Sequence, residues 1–264
     1  MSTVTASPTT AALAERLDDA QRTAAPIEHL SASAPIGLDT AYAVQHALIA
    51  RRSGRGERVT GLKLGFTSRA KARQMGVDDV ILGTITDAMR IEDGAAFDPR
   101  TCIHPRIEPE IAYLFGADID PDAPAPVGAI AAVAPALEII DSRYRDFRFS
   151  LDDVVADNTS AAAYVIGDWV PAAASGSRAN RAVALEIDGR LAQTGTTAAI
   201  LGDPARALAA ASRLAARHGF ALRAGTVLLA GAATVAVPVP RRGVVEASVT
   251  GLGRVSVRVD EKES

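Results

Sequence analysis

The spacing of apolar residues near the N-terminus predicts two helices. Leucines recur on one face of the segment 9–22, and a similar spacing is found over 39–52. The stretch 24–37 between them is rich in Pro, Ser and Ala, which indicates a connection over the surface. Residues 1–55 are therefore predicted to form an N-terminal helical arm, ahead of a separate domain over 56–264.

From residue 59 onward the pattern is mostly that of β-strands. Apolar residues alternate or run together in VTGLKLGFT, IEPEIAYLF, ALEII, TVLLAG, VVEASV and VSVRV. Asp188-Gly189 lies between alternating apolar residues and predicts a hairpin, because both turn positions favour positive φ. One long helix is predicted here, over 205–218 with Gly219 at its end, besides a short helix over 68–75. This order favours an α+β fold built around a rolled mixed sheet.

Composition narrows the class of protein. The chain has 264 residues and 48% hydrophobic content, so it can bury one large core or two small ones. Its net charge of −3 is spread without a basic stripe, which argues against a nucleic-acid partner. The single Cys102 excludes an internal disulfide, and no secretion signal is recognisable, so a cytoplasmic location is predicted. The longest apolar stretch, 129–140, is too short and too interrupted to span a membrane.

Two carboxylates two residues apart are the first candidates for chemistry. On a strand, Glu108 and Glu110 leave the same face, so one cation could contact both. Taken alone, the segment favours a solvated face, because charged side chains are mostly exposed. Pro109 between them is typical of an edge strand or a bulge.

A third carboxylate, Glu138, lies inside the apolar segment APALEII, where an unpaired charge would be costly. Either Arg143 neutralises it, or it converges with Glu108 and Glu110 on a metal ion. Three carboxylates without His or Cys at ligand spacing make an all-oxygen site, which suits Mg²⁺, or alternatively Mn²⁺.

Lys63 is the candidate cationic group. It lies between Leu62 and Leu64 on a predicted strand, so partial burial with a lowered pKa is one interpretation, and the exposed face of an edge strand is the other. Cys102 has only His104 nearby, which makes a cysteine nucleophile a weak alternative. No phosphate loop or dinucleotide loop is recognisable, so nucleotide cofactors are not expected.

Several blocks of sequence resemble those of the 2-keto-4-pentenoate hydratase and 4-oxalocrotonate decarboxylase family, within the fumarylacetoacetate hydrolase superfamily. The blocks are GLKLGFTSRAKARQMGV, HPRIEPEIAYLF, PALEIIDSRYRDFRFSLDDVVADNTS, GTTAAILGDP and AGAAT. The resemblance implies a metal-binding catalytic β-roll domain of the fumarylacetoacetate hydrolase type. It assigns the divalent metal, usually Mg²⁺, to Glu108, Glu110 and Glu138, makes Lys63 the active-site lysine, and places Ser160 near the substrate.

One position separates the two branches of this family. Hydratases of this family resemble one another in carrying an acidic residue that takes part in the addition of water. Ile81 stands at the corresponding position of this chain. An aliphatic side chain cannot transfer a proton, so the resemblance favours decarboxylation over hydration, with Ile81 as part of the apolar substrate wall. Asp78 and Asp79 lie close enough in the sequence to keep the hydratase alternative open.

The implied reaction is the decarboxylation of 2-oxo-3-hexenedioate to 2-hydroxypenta-2,4-dienoate and CO₂ in meta-cleavage aromatic catabolism. Lys63 is expected to stabilise the dienolate or to manage its proton. The implied partners are a small 2-oxo dicarboxylic acid as substrate, a 2-hydroxypentadienoate hydratase, and further copies of the chain in a homo-oligomer. A non-catalytic partner of a hydratase is the more distant alternative, against which the retention of all three glutamates and Lys63 argues.

Overall fold

The computed structural model describes residues 9–68, 79–120 and 127–261. These ranges contain four α-helices, which are α1 Thr10–Thr23, α2 Leu38–Gly54, α3 Leu151–Ala156 and α4 Ala205–His218. They also contain the strands β1 Val59–Gly65, β2 Ile81–Thr86, β3 Arg90–Ile91, β4 Ala96–Phe97, β5 Arg106–Phe115, β6 Ile130–Ile140, β7 Ala161–Ile166, β8 Val170–Pro171, β9 Ala182–Ile187, β10 Arg190–Thr196, β11 Val227–Ala232, β12 Val237–Pro238, β13 Arg242–Val249 and β14 Gly253–Asp260.

The strands form two mixed sheets. The larger has the order β2-β1-β11-β5-β6-β7-β3, with β12 added to β5 and β8 added to β6. The smaller has the order β10-β9-β13-β14-β4. Most neighbours are antiparallel, and β1 with β11, β3 with β7 and β14 with β4 are parallel. The predicted α+β fold with a rolled mixed sheet is confirmed.

The two sheets pack face to face through a shared apolar layer. Ile107, Leu137 and Val165 of the larger sheet belong to the same buried cluster as Val245 and Val257 of the smaller one. All five are at most 1% exposed, so this layer is free of water. It fixes β5 and β6 in the middle of the larger sheet, where Glu108, Glu110 and Glu138 are buried.

The N-terminal helices cover the larger sheet. Leu13 and Leu17 of α1 and Leu48 of α2 join the buried cluster that contains Leu62 and Ile111 of that sheet. Their periodic spacing places them between the helices, because α1 packs against α2 and α2 against α3, and this helical layer shares its core with the larger sheet. The predicted division of the chain at residue 55 stays a prediction. None of the helices in the described ranges has the length and apolar character needed to cross a membrane.

Two local predictions are confirmed in detail. The hairpin turn between β9 and β10 has φ of 51° at Asp188 and 71° at Gly189, the left-handed values that the sequence pair predicts. Helix α4 ends at Gly219, which has φ of 76°, with Arg217 and His218 in its last turn, where the charge of Arg217 interacts favourably with the helix dipole.

Helix α3 was not predicted from the sequence. Ser150 caps it through a reciprocal capping box with Asp153, a pattern that is visible in the sequence SLDD. The apolar run that follows is only a few residues long, which is why periodicity did not indicate a helix. The helix predicted over 68–75 falls on the residues that lie outside the described ranges, apart from Ser68.

Candidate metal centre and active-site cavity

Three carboxylates converge at the centre of the larger sheet. Glu108 on β5 is the direct cross-strand partner of Glu138 on β6, and Glu110 follows two residues later on the same face. The three groups offer oxygen atoms that all lie within 4.8 Å of one another. All three side chains are buried, with exposures of 5%, 1% and 1% for Glu108, Glu110 and Glu138, so the interpretation of a solvated face is wrong.

The hydrogen bonds around these carboxylates are incomplete. Glu110 Oε2 accepts a hydrogen bond from Gly231 N at 2.8 Å. Glu110 Oε1 and Glu138 Oε2 are buried and receive no hydrogen bond from a donor group in the described part of the chain. Burial, together with the neighbouring carboxylates, raises the pKa of Glu110 well above its usual range. Buried carboxylate oxygens such as these two fit a divalent cation, and an all-oxygen donor set suits Mg²⁺.

Lys63 joins this cluster from β1. Its Nζ lies 2.8 Å from Glu138 Oε1, and its exposure is only 3%. Strand β1 lies between β2 and β11, so the alternative of an exposed edge position is wrong. The expectation of a lowered pKa is also wrong. Burial acts to lower the pKa of Lys63, but the negative charges of the three glutamates outweigh it, and the pKa lies above its ordinary value.

Arg143 does not neutralise Glu138, because it pairs with another carboxylate. Its guanidinium forms a buried ion pair with Asp157 and donates a hydrogen bond to the carbonyl of Ala161 at 3.1 Å. Arg143 N also donates to Asp157 Oδ2 at 3.1 Å. The sequence suggested either Arg143 or the other two glutamates as neighbours of Glu138. The structure places Glu138 beside the glutamates, and Lys63 lies next to it as well.

Pro109 occupies an interruption of the sheet. The pairing of β5 with β11 skips between Leu229 and Ala232, and the Pro109 carbonyl accepts a hydrogen bond from Ala233 N at 2.9 Å. Because the N and O atoms of one strand residue point to the same side, the missing N–H of Pro109 falls where the regular ladder is interrupted. The bulge interpretation is confirmed, although the irregularity lies on the neighbouring strand β11. The interpretation of an edge strand is wrong.

A turn of left-handed residues closes the site beside Lys63. Asn158, Thr159 and Ser160 have φ of 50°, 55° and 56°, values that are uncommon for residues with a Cβ. The Thr159 carbonyl accepts a hydrogen bond from Lys63 Nζ at 3.1 Å. Asn158 holds the turn on β2, because it accepts from Thr84 N at 2.7 Å and donates to Thr84 O at 2.8 Å. Backbone strain of this kind occurs where the surrounding structure enforces it, often at functional sites.

Two glycines allow this turn to approach the strands. A Cβ on Gly83 of β2 would lie 2.8 Å from the Asn158 carbonyl oxygen and 3.1 Å from Lys63 Cδ. A Cβ on Gly65 of β1 would lie 2.9 Å from Ile81 Cγ1. The contacts of 2.8 Å and 2.9 Å are shorter than real Cβ atoms show, so Gly65 and Gly83 are explained by packing at the site.

A cavity of about 370 Å³ opens next to the carboxylates. Lys63, Glu108, Ile81 and Ser160 all line it, so the structure brings together most of the residues predicted from the sequence. Its remaining walls are largely apolar or aromatic, with one cationic exception, and include Arg106, Ile140, Phe147, Phe149, Val154 and Val235. The Ser160 hydroxyl is buried and makes no hydrogen bond with the described residues. A second cavity of about 350 Å³ shares Lys63 and Glu108 and has a more polar lining.

The remaining candidates lie outside this chemistry. Burial raises the pKa of Cys102 to about 12, so its thiol is not a nucleophile at neutral pH. Asp79, which could have replaced the acidic residue of hydratases, is paired with Arg213 at 2.7 Å on the surface, and Asp78 lies outside the described residues.

Comparison with known proteins identifies the family. Residues 66–260 match the family described as fumarylacetoacetate (FAA) hydrolase, C-terminal. The chain belongs to the fumarylacetoacetate hydrolase family. Within it, the chain is similar to a 4-oxalocrotonate decarboxylase from Pseudomonas sp, with 48% identity over 92% of this chain and 95% of the relative.

A solved structure and a hydratase complete the comparison. The structure of 4-oxalocrotonate decarboxylase from Pseudomonas putida G7, complexed with magnesium and adipate, superposes with a TM-score of 0.90, at 35% identity over 95% of this chain and 97% of that chain. The 2-keto-4-pentenoate hydratase of Burkholderia vietnamiensis is 36% identical over 95% of this chain and 97% of its own length. The decarboxylase from Pseudomonas sp is thus more similar to this chain than that hydratase is.

Some residues of the site were not predicted from the sequence. The left-handed turn at Asn158 and Thr159 lacks glycine, so no pattern in the sequence predicts positive φ there. Arg106 and Phe147 line the cavity from segments that are distant in the sequence. The block HPRIEPE does contain Arg106 two residues before Glu108, and same-face spacing on the strand could have indicated that they share one cavity.

Proposed function

We propose that this chain is a metal-dependent carbon-carbon lyase that decarboxylates 2-oxo-3-hexenedioate to 2-hydroxypenta-2,4-dienoate and CO₂. The observation that carries the proposal is the cluster of Glu108, Glu110 and Glu138 beside Lys63, at the end of a cavity whose wall includes Ile81. The similarity to decarboxylases supports it further. The adipate bound to the Pseudomonas putida G7 enzyme is a six-carbon dicarboxylic acid, as is the proposed substrate.

The three glutamates are the proposed ligands of the metal ion. When bound, a divalent cation supplies a positive charge that stabilises the negative charge developing on the 2-oxo oxygen of the substrate. Lys63 counters part of the charge of the three carboxylates, but one ammonium group leaves the buried cluster with an excess of negative charge. A bound divalent ion would compensate that excess.

The proposed substrate is a vinylogous β-keto acid. The bond between C5 and C6 breaks, C6 leaves as CO₂, and the electron pair moves through the conjugated chain to the 2-oxygen, which then takes up a proton. Lys63 is the group of this chain that would hold or deliver that proton, because its ammonium lies beside the carboxylates and is fixed by the Thr159 carbonyl at 3.1 Å.

The apolar wall has its own proposed role. Ile81 is 3% exposed and offers no group that can activate water, so the dienol product leaves without hydration. The Ser160 hydroxyl, which has no partner in the described residues, is a proposed hydrogen-bond donor to the substrate. Ile81 and Ser160 thus complete the proposed site that Lys63 and the three glutamates form.

Product analysis tests the proposal directly. The purified protein is incubated with Mg²⁺ and either 2-oxo-3-hexenedioate or 2-hydroxypenta-2,4-dienoate, and CO₂ and 4-hydroxy-2-oxopentanoate are measured. We expect CO₂ from the first substrate and no hydration of the second. Formation of 4-hydroxy-2-oxopentanoate without CO₂ would establish the hydratase alternative, and absence of metal binding by calorimetry would favour a non-catalytic partner.

Association with other chains stays a prediction. A homo-oligomer and a complex with a 2-hydroxypentadienoate hydratase are both consistent with the family, whose hydratase members are relatives of this chain. Light scattering of the chain alone, and of its mixture with a hydratase, would measure both. A monomeric mass in each experiment would contradict the two predictions.

A further inference from the structure

Arg106 is the cationic group of the cavity that the proposed mechanism does not use. It lies on β5 two residues before Glu108, so the two side chains leave the same face of the strand. Two residues advance a strand by about 7 Å, which is comparable to the length of an extended six-carbon diacid. Both residues line the same cavity, with the metal cluster near Glu108 and the solvent-exposed end near Arg106.

The two cations of this cavity have different surroundings. Lys63 is already engaged by Glu138 Oε1 at 2.8 Å and by the Thr159 carbonyl. Within the described ranges, no carboxylate of the protein lies at ion-pair distance from the guanidinium of Arg106. A planar guanidinium that is not paired with a protein carboxylate can bind a ligand carboxylate through two parallel hydrogen bonds.

Aromatic rings hold Arg106 in place. Its Cζ lies 5.4 Å from the ring centroid of Phe147, and the ring of His104 contacts Phe147 with a centroid separation of 4.4 Å. Phe147 itself has φ of 55°, next to Asp146 with φ of 57°, so an unusual turn presents the ring at the cavity wall. The cation–π contact restrains the guanidinium before any ligand binds.

We propose that Arg106 binds the second carboxylate of the substrate, the one that leaves as CO₂, and so selects dicarboxylic over monocarboxylic 2-oxo acids. This inference rests on the proposed function for the identity of the leaving group. The carboxylate loses its negative charge as the bond between C5 and C6 breaks, so Arg106 stabilises the bound substrate at least as well as the transition state. Arg106 therefore contributes to binding and selectivity rather than to the rate of the chemical step.

Ligand binding in the presence of Mg²⁺ tests this proposal without relying on turnover. Adipate serves as a probe with two carboxylates and pyruvate as a 2-oxo acid with one, and calorimetry measures both affinities. For Arg106→Gln we expect the affinity for adipate to fall about tenfold or more, and the affinity for pyruvate to change less than about twofold. Arg106→Lys retains a charge without the planar fork, so we expect an intermediate loss for adipate.

A matched control distinguishes a local effect from a general one. Arg178 is also placed over an aromatic ring, 5.9 Å from the centroid of Tyr113, and does not line the cavity. Arg178→Gln should leave both affinities unchanged. Equal losses for adipate and pyruvate in Arg106→Gln, or no loss for either, would overturn the proposal. If Arg106→Gln does not fold, as judged by circular dichroism, the comparison is made with Arg106→Lys.

Turnover provides the second measurement. With 2-oxo-3-hexenedioate, we expect Arg106→Gln to raise KM about tenfold or more while kcat changes less than about threefold. A fall in kcat at unchanged KM would contradict the binding role. If the wild-type chain does not decarboxylate this substrate, the proposed function fails, and the adipate and pyruvate affinities still decide whether Arg106 binds a second carboxylate.

Discussion

Glu108 and Glu138 face each other directly across the antiparallel pair β5 and β6, and both are buried. Like charges at directly opposed positions destabilise a sheet, and burial increases the cost. Lys63 compensates part of it through its ion pair with Glu138 at 2.8 Å. The arrangement fits the proposed metal centre, and the stability of the protein is therefore expected to depend on a divalent ion.

Glu110→Gln should abolish the response of stability to Mg²⁺. A ligand present at about one hundred times its dissociation constant stabilises the wild type by about 2.7 kcal/mol, which corresponds to a rise in Tm of about 5–10 °C for a chain of this size. Without one of three carboxylates we expect this rise and the Mg²⁺-dependent turnover to be lost, with the fold intact. Glu246→Gln, at an exposed ion pair with Arg254, is the control. Full activity of Glu110→Gln would refute the assignment.

Lys63→Met should separate catalysis from metal binding. Removal of the proposed proton donor is expected to reduce kcat about 10²- to 10⁴-fold, because general acid–base groups contribute effects of that size. Metal affinity should not weaken, since a positive charge is removed from the surroundings of Glu138. Turnover and calorimetry measure the two effects. A parallel fall in metal affinity and kcat would instead indicate that Lys63 only supports the metal centre.

Ile81→Asp should alter the fate of the product. A carboxylate at this buried position of the cavity wall can activate water, so we expect 4-hydroxy-2-oxopentanoate to form from 2-hydroxypenta-2,4-dienoate and decarboxylation to slow. Ile81→Asn has nearly the same shape but cannot transfer a proton, and should produce no hydration. Chromatography of the products makes the comparison. Equal product ratios in both variants would show that Ile81 does not control the access of water.

The left-handed turn beside Lys63 can be tested by substitution of Asn158. Asn158→Ala removes two buried hydrogen bonds to Thr84 and keeps a Cβ at φ of 50°, so the free energy of unfolding should fall by about 2–4 kcal/mol. Asn158→Gly loses the same bonds but tolerates the backbone conformation, and should be about 1 kcal/mol more stable than the alanine variant. Urea unfolding measures both values. Equal stabilities would argue against strain at this turn.

A fourth carboxylate, Asp18, makes stability depend on pH. Burial acts to raise its pKa, but the hydrogen bonds and charges of Arg55 and Arg51 outweigh this effect, and the pKa lies below its usual value. Because the folded pKa is lower than the unfolded one, the stabilisation is present at neutral pH and is lost as the pH falls through the folded pKa. Asp18→Asn should thus be less stable than the wild type at pH 7, with a difference that shrinks as the pH falls from the unfolded pKa, about 3.9, through the lower folded pKa. A difference independent of pH would refute this ion-pair account.

Local patterns in the sequence determined much of the secondary structure and indicated which carboxylates share one face of a strand. The period of two along IEPEIAYLF places Glu108 and Glu110 on one face, whatever the strand packs against. The Asp188-Gly189 turn and the Gly219 helix end follow from the preference of these residues for positive φ, which depends only on their own backbone. The resemblance to a known family implied the roles proposed for the three glutamates and for Lys63, Ile81 and Ser160.

Only the tertiary structure decided what each charge faces. In the sequence, Glu138 could pair with Arg143 or lie beside the other glutamates. The register of β5 and β6 places it opposite Glu108, while Arg143 forms an ion pair with Asp157. Lys63 could not be recognised as a partner of Glu138, because β1 and β6 are distant in sequence and are separated in the sheet by β11 and β5, so the two side chains meet only in the assembled sheet. Burial and charge pairing depend on long-range contacts of this kind, which a local pattern of residues does not encode.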